Sequence, residues 1–97
     1  MIGRVTTCQT HIDKLDEVVK TFNEGDIPAA RLIKGFRGCY LLTDHKTGKF
    51  ISISFWDSEK DIVADERSGQ YQRRVDLRKH LYTTPPVREL YEVSAQE

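Results

Sequence analysis

A chain of 97 residues is long enough for one domain with a single hydrophobic core. Its 15 acidic and 15 basic residues cancel, which predicts no binding of nucleic acid or of an anionic membrane surface. No run approaches the roughly 18 apolar residues of a membrane span, and the N-terminal residues lack the apolar segment of a signal peptide. We therefore expect a cytoplasmic protein with neither a nucleic acid nor a membrane partner.

The two cysteines and three histidines predict no metal site and no cofactor. Cys8 and Cys39 are expected on strands separated by a third strand, about 9–10 Å apart, which is too far for a disulfide. Neither lies in a CxxC motif. The histidines His11, His45 and His80 show no spacing typical of zinc or iron ligands.

The first predicted elements are a strand and a helix. Residues 2–9 alternate in polarity and contain enough β-branched residues for a strand. Thr10 and Asp13 have the spacing of a capping box, which predicts the start of a helix. Residues 23–25 are expected to end this helix, and Asp26 to begin a short second one. The apolar stripe of the first helix comprises Ile12, Leu15, Val18, Val19 and Phe22.

The segment from 36 to 56 predicts a β-hairpin with two contrasting faces. Its turn, residues 44–48, includes Gly48, which adopts a positive φ easily. With Thr43 opposite Phe50, one face is nearly all apolar and the other half apolar. The apolar face carries Phe36, Gly38, Tyr40, Leu42, Ile51, Ile53 and Phe55. The half-apolar face carries Arg37, Cys39, Leu41, Thr43, Phe50, Ser52, Ser54 and Trp56.

This contrast predicts what covers each face of the hairpin. The nearly apolar face is expected to lie beneath the helices. The half-apolar face is too apolar for solvent and too polar for a core, which favours a second subunit as its cover. We therefore expect a homodimer that associates through Cys39, Leu41, Ser52 and Ser54.

The remaining elements predict a second helical segment and a last strand. Ser58 and Asp61 form a second capping box. Gly69 is expected to break the helix that follows, and residues 83–86 to end it. Residues 87–95 alternate as a strand. The order βαββαβ is that of an α+β, ferredoxin-like fold, with a four-stranded antiparallel sheet in the order 4-1-3-2 and both helices on one face.

At this point the chain resembles the antibiotic biosynthesis monooxygenase-like family of the dimeric α/β-barrel superfamily. The matching residues are Gly35–Gly38, Tyr40–Leu42 with Asp44, Thr47–Lys49, Trp56–Ser58 and Tyr91–Val93. The resemblance spans almost the whole chain and predicts one domain over residues 1–97. It implies a homodimer in which two sheets pack into a barrel, with a small-molecule cavity between sheet and helices in each subunit.

Some residues that are typical of the family are absent from this chain, which limits the reactions that the resemblance implies. Many members carry a histidine nine residues after the tryptophan that ends the third strand, where this chain has Asp65. The haem-degrading branch uses an asparagine in the first strand, and a tryptophan and a histidine on the second helix. This chain has Thr6, Thr7 and Gln9 in the first strand, and His80 lies beyond the expected place. The resemblance therefore implies no haem degradation of that type.

A gap is expected beneath the helix break, and it forms the predicted site. Its floor would be Tyr40, Ile51 and Ile53, with Tyr71 in the wall. Either tyrosine could stabilise a substrate anion through its hydroxyl, or could be a core tyrosine whose hydroxyl reaches the rim.

Each of three further sequence features allows a functional and a structural interpretation. Trp56 stacks on a flat ligand or simply packs at the end of its strand. Asp65 acts as a base if the cavity desolvates it, or is a solvated helix residue. The basic run of Arg73, Arg74, Arg78, Lys79 and His80 binds an anionic group, or forms a solvated helical face.

Two classes of function follow from these predictions. The first is a cofactor-independent monooxygenase that acts on a small aromatic or quinol-type molecule held in the cavity. The second is a non-catalytic homodimer of the same fold, which binds a small ligand or is purely structural. The missing histidine favours the second class, and the aromatic lining of the predicted cavity fits both.

Overall fold

The computed structural model describes residues 1–97 as one sheet covered on one side by helices. The strands are β1 (Ile2–Gln9), β2 (Phe36–Asp44), β3 (Lys49–Trp56) and β4 (Val87–Glu92). The helices are α1 (Leu15–Thr21), α2 (Ile27–Ala30), α3 (Glu59–Arg67) and α4 (Gln70–Arg78). Short 3-10 turns at Ile12–Lys14 and Lys79–Leu81 precede α1 and follow α4. None of the helices is long and apolar enough to cross a membrane.

The sheet has the predicted topology. Its strands are antiparallel in the order β2-β3-β1-β4, which is the expected order read from the other edge. Thr43 pairs with Phe50, so the predicted hairpin register is confirmed. One bulge at Arg37 shifts the register between Phe36 and Gly38 and places Phe36 opposite Trp56. Phe36 therefore joins the face that carries Trp56.

The prediction that the helices cover the nearly apolar face was wrong, because they pack on the half-apolar face. We call this the helix face; it carries Arg4, Thr6, Cys8, Cys39, Leu41, Phe50, Ser52, Ser54 and Trp56. We call the other the open face; it carries Gly3, Val5, Tyr40, Leu42, Ile51, Ile53, Phe55, Val87 and Tyr91. Cys39, Leu41, Ser52 and Ser54 are thus covered by the protein's own helices and not by a second subunit.

The polar residues of the helix face are tolerated there because they find partners inside the protein. Ser54 is buried and accepts a hydrogen bond of 2.9 Å from Trp56 Nε1. Arg4 is buried in ion pairs with Asp65 and Glu66. Around them, Phe50 and Trp56 are among the most deeply buried side chains of the chain. Because these polar groups are satisfied, they can lie next to large apolar side chains beneath the helices.

The first helical segment begins and ends differently from the prediction. His11, not Thr10, precedes the first turn, and no side chain caps it. Thr10 instead donates its hydroxyl to the Gly48 carbonyl at 2.9 Å, which ties the start of the helix to the hairpin turn. Gly25 does not end the helix. The chain continues through one π-helical turn, Phe22–Asp26, directly into α2.

The second helical segment agrees with the prediction. Ser58 Oγ accepts from the backbone N–H of Asp61 at 3.3 Å and caps α3. Gly69 has a φ of 85° and separates α3 from α4. The last strand ends at Glu92, three residues earlier than expected.

Replacing Gly48 with alanine should lower the free energy of unfolding by about 1–3 kcal/mol, because alanine is strained at its φ of 80°. A Cβ there would also lie 2.5 Å from the Thr10 carbonyl oxygen. Gly25 is the control, since a Cβ there meets nothing within 4 Å and its helical backbone suits alanine. Urea unfolding of both variants checks this, and equal losses would contradict it.

A candidate ligand cavity between the sheet and the helices

A cavity of about 250 Å³ lies between the helix face and the helical segments. Half of its lining residues are hydrophobic, two tyrosines among them, and the rest include arginine, serine, threonine and aspartate side chains. Ligand sites usually run from about 300 to 1,000 Å³, so this one suits a small ligand. This mixture of apolar and polar side chains suits an organic molecule that itself carries polar groups.

Aromatic rings and one buried guanidinium form the wall at the end of β3. Phe36 meets Trp56 edge-on with ring centroids 5.5 Å apart. The Arg4 guanidinium lies 5.1 Å from the Trp56 ring centroid and 4.5 Å from that of Tyr71. Both distances are within the range of a cation–π contact. A planar guanidinium in contact with two aromatic rings makes this part of the cavity wall flat.

Two carboxylates on α3 hold the arginines of this wall in place. Asp65 accepts hydrogen bonds of 3.2 Å from Arg4 and from Arg74, with its side chain only 1% exposed. Glu66 accepts from Arg4 at 3.3 Å and from Arg88 through two hydrogen bonds of 2.5 and 2.7 Å. The side chains of β1, α3, α4 and β4 thus meet in one ion-pair network beside the cavity.

A second polar group closes the far side of the cavity. The π-helical turn brings both Phe22 and Asp26 to the lining. Arg78 pairs with Asp26 at 2.5 Å, lies 4.9 Å from the Phe22 ring and donates from Nε to the Tyr82 hydroxyl at 3.3 Å. π-helical turns occur often at functional sites. The ion pair between Asp26 and Arg78 thus links this turn to α4 beside the cavity.

Cys8 lies at the bottom of this polar cluster and is 3% exposed. Burial raises the pKa of the Cys8 thiol to about 11, and the nearby Tyr82 hydroxyl and the charge of Arg78 only partly oppose the rise. The thiol is therefore neutral and unreactive at neutral pH.

The raised pKa of Cys8 predicts a loss of stability at high pH. The unfolded chain releases the thiol proton near pH 9, whereas the folded chain holds it until about pH 11. The free energy of unfolding should therefore fall across this window, by at most about 1.4 kcal/mol per pH unit. Urea unfolding of the wild type and of Cys8→Ala between pH 8 and 11 measures this. The wild type should fall more steeply, and parallel curves would contradict the assignment.

The structure brings together some of the predicted site residues and separates others. Trp56 and Tyr71 line the cavity. Tyr40, Ile51 and Ile53 lie on the open face, so the prediction that they form the floor is wrong. Tyr40 is 65% exposed and lines a different hollow with Phe55 at the end of the sheet. The floor is instead made by the helix-face residues of β1 and β3.

Asp65 is buried, but neither of the two readings fits its surroundings. It is not solvated, and it is not among the residues that line the cavity. Both of its oxygens accept hydrogen bonds from arginine, which leaves neither free to take a proton from a ligand. The geometry makes Asp65 the residue that positions Arg4 and Arg74.

The arginines are the site residues that the sequence prediction placed least well. Of the basic run, Arg74 and Arg78 line the cavity, while Arg73, Lys79 and His80 are exposed. The spacing of four between Arg74 and Arg78, in step with the apolar Val75 and Leu81, is a signal for one inward face. Arg4 and Arg88 carry no such local signal, because only the sheet brings them to the site.

No three histidine, cysteine, aspartate or glutamate side chains lie close enough together to hold a metal ion. The three histidines are all exposed, and none of them lines the cavity.

Comparison with known proteins identifies a family and a fold. The sequence profile of the family described as antibiotic biosynthesis monooxygenase matches residues 1–77. Among curated proteins, none matches the chain. Among solved structures, a candidate antibiotic biosynthesis monooxygenase from Nitrosomonas europaea superposes with a TM-score of 0.82 at 14% identity, covering 98% of this chain and 100% of the other.

Two further structures show the same likeness. A candidate antibiotic biosynthesis monooxygenase from Deinococcus radiodurans has a TM-score of 0.82 at 17% identity and covers 100% of this chain and 96% of its own. A haem-degrading protein from Mycobacterium tuberculosis, with two haems in its active site, has a TM-score of 0.81 at 17% identity, covering 100% and 99%. At these identities the likeness shows that the fold is shared. The predicted ferredoxin-like α+β fold is therefore confirmed.

Proposed function

Because this chain belongs to the antibiotic biosynthesis monooxygenase family, we propose that its cavity binds a small aromatic molecule of quinol type and oxygenates it without a cofactor. The observation that carries this proposal is the Arg4 guanidinium held between the rings of Trp56 and Tyr71 at the cavity wall. Such a wall supports a flat ring by stacking and an oxygen anion by charge.

Cofactor-free oxygenation needs a substrate that can become an anion and donate electrons itself. For an anthrone, the ring CH₂ loses a proton to water, and the resulting anion passes one electron to dioxygen. The two radicals join in a C–O bond, and the peroxide then loses water to leave a ketone. One dioxygen thus gives one ketone oxygen and one water, and the substrate supplies all of the electrons.

The protein's part in this reaction is to hold the anion in a site with little water. Arg4 is fixed by Asp65 and Glu66 and so needs no rearrangement when negative charge develops on the ligand oxygen. The Tyr71 ring lies 4.5 Å from this cation and lines the cavity, and its hydroxyl is a neutral hydrogen-bond donor. We assign anion stabilisation to these two residues, in place of Tyr40 and Asp65.

Oxidation of dithranol, a trihydroxyanthracene tautomer, tests this assignment. The anthraquinone product is followed by absorbance in air-saturated buffer, against a no-protein control. Tyr71→Phe should lower kcat by about 10²-fold, the low end of the effect of losing one oxyanion donor. Tyr40→Phe is the matched control, since Tyr40 lies on the open face, and it should leave kcat unchanged. The roles are wrong if the two variants behave alike.

A second candidate function is ligand binding without catalysis. It is favoured by one observation: the three carboxylates of the arginine network, Asp26, Asp65 and Glu66, are all held in ion pairs. The cavity then has no free carboxylate to act as a base. If dithranol and related quinols perturb the Trp56 indole signal but show no turnover above the background rate, this candidate replaces the first.

We also propose that the 97-residue chain acts as one domain and forms a homodimer through the open face. Four large side chains of that face are at least half exposed: Tyr40, Leu42, Val87 and Tyr91. Patches of this kind rarely remain exposed on a monomer, and a second sheet packed face to face would cover them.

A further inference from the structure

Arg74 differs from the other cavity arginines in how few of its donors are used. It contacts Asp65 only through Nη2, which donates to both carboxylate oxygens at 3.2 Å. Its Nε–H and Nη1–H groups make no hydrogen bond within the protein. The side chain is 14% exposed and lines the cavity. No buried side-chain nitrogen lacks a partner, so these free donors are open to a ligand or to solvent.

The balance of charges around the cavity also favours an anionic ligand. The arginines that line the cavity are Arg4, Arg74, Arg78 and Arg88. The carboxylates that pair with them are Asp26, Asp65 and Glu66. In these ion pairs four cations share three anions, an excess of one positive charge. A fourth acid, Glu59, acts on Arg88 electrostatically but forms no ion pair with it. In a partly enclosed cavity that excess attracts an anion more strongly than it would on an open surface.

The three acids are also fully committed, since two of them are already shared between two arginines. Asp65 serves Arg4 and Arg74, and Glu66 serves Arg4 and Arg88. A fourth carboxylate brought by the ligand would complete the set. Arg74 is the place for it, because the other three arginines each donate to their acids from at least two different nitrogens or to a tyrosine as well.

We propose that the natural ligand of this cavity is an aromatic carboxylic acid, whose carboxylate binds the free N–H groups of Arg74 and whose ring lies toward Trp56 and Phe36. This rests on the proposed function only in that it places the ligand in the same cavity. Charge-assisted hydrogen bonds to guanidinium are among the stronger polar contacts in proteins, and they select carboxylates over neutral groups of similar shape.

A pair of matched probes tests the proposal. 2-Naphthoic acid and 2-naphthamide have nearly the same shape, and only the acid is charged at pH 7. Trp56 is the only tryptophan, so its indole N–H gives one assignable NMR signal at the cavity wall. Titrations followed by this signal should show the acid binding about 10–100-fold more tightly than the amide, and the difference should shrink at high salt.

Variants of two neighbouring arginines show which residue makes the acid bind more tightly than the amide. Arg74→Gln should abolish it, and Arg74→Lys, which keeps a charge beside Asp65, should keep part of it. Arg73→Gln is the matched control, one residue away on α4 and exposed, and should retain it in full. Circular dichroism on each variant checks that the fold is intact.

The outcomes separate this inference from the proposed function. If acid and amide shift the Trp56 signal with equal affinity, the cavity binds aromatic ligands but the carboxylate assignment is wrong. If the acid keeps its advantage in Arg74→Gln, Arg74 is not its site. If neither probe moves the signal at millimolar concentration, both the inference and the proposed ligand cavity fall.

Discussion

Asp65→Ala should lower the free energy of unfolding by about 3–5 kcal/mol, the cost of removing one partner from a buried ion pair. Asp65 is the only carboxylate that Arg74 contacts and one of two that Arg4 contacts. The Arg4 side chain is 7% exposed, so water cannot replace the lost acid. In a chain of this size the loss corresponds to a fall in melting temperature of more than about 10 °C.

A surface ion pair supplies the control for Asp65. Asp57 pairs with Arg37 at 2.5 Å, but both side chains are at least half exposed. Asp57→Ala should therefore change the free energy of unfolding by no more than about 1 kcal/mol. Comparable losses in the two variants would show that Asp65 does not hold the network together.

A double variant separates the ion pair from simple packing. If Asp65→Leu is harmful mainly because it strands the Arg4 charge, then adding Arg4→Met should recover part of the loss. Contacting residues in one network typically show such coupling at the level of about 0.5–3 kcal/mol. Strict additivity of the two changes would mean that the cost of Asp65→Leu comes from shape and not from charge.

The sheet was predictable because its signals are local. The alternation of residues 50–56, the turn at Gly48 and the separation of the two faces together favour the register in which Thr43 lies opposite Phe50. The helix cap at Ser58 and the helix break at Gly69 likewise follow from the residue type at each position. These elements need no knowledge of the rest of the chain.

The cavity was not predictable because its polar residues are explained only by distant partners. Arg4 and Asp65 lie 61 residues apart, and no local pattern indicates that they meet. Without that pairing, a face with serines and an arginine reads as one that cannot lie under the helices. The prediction therefore put the helices on the wrong face of the sheet. As a result it placed Tyr40, Ile51 and Ile53 beneath the helices, although they lie on the open face.

The π-helical turn was missed for a related reason. Asn23 to Gly25 is a sequence that normally ends a helix, and nothing within it indicates one extra residue in a continuing helix. The turn is stabilised from outside, since Asp26 is held by Arg78 from α4. This contact spans 52 residues of sequence, so the local pattern cannot indicate it.

The exchange of faces also moves the expected dimer interface to the open face, where Ile53 lies near the centre. Ile53 sits on β3, between Val5 of β1 and Tyr40 of β2. If a second sheet packs there, a charge at this position would be buried without a partner in both subunits. Ile53→Lys should therefore convert the dimer to a monomer at micromolar concentration, a shift in the dissociation constant of at least about 10³-fold.

Sedimentation velocity of the wild type and two variants measures this expectation. Leu77→Lys is the matched control, because Leu77 is 68% exposed on α4, away from the sheet. It should leave the dimer intact, while Ile53→Lys sediments as a folded monomer with an unchanged circular dichroism spectrum. A wild-type chain that is monomeric at tens of micromolar would refute the interface. So would an Ile53→Lys variant that still dimerises, because the open face must then be covered by something other than a second copy of itself.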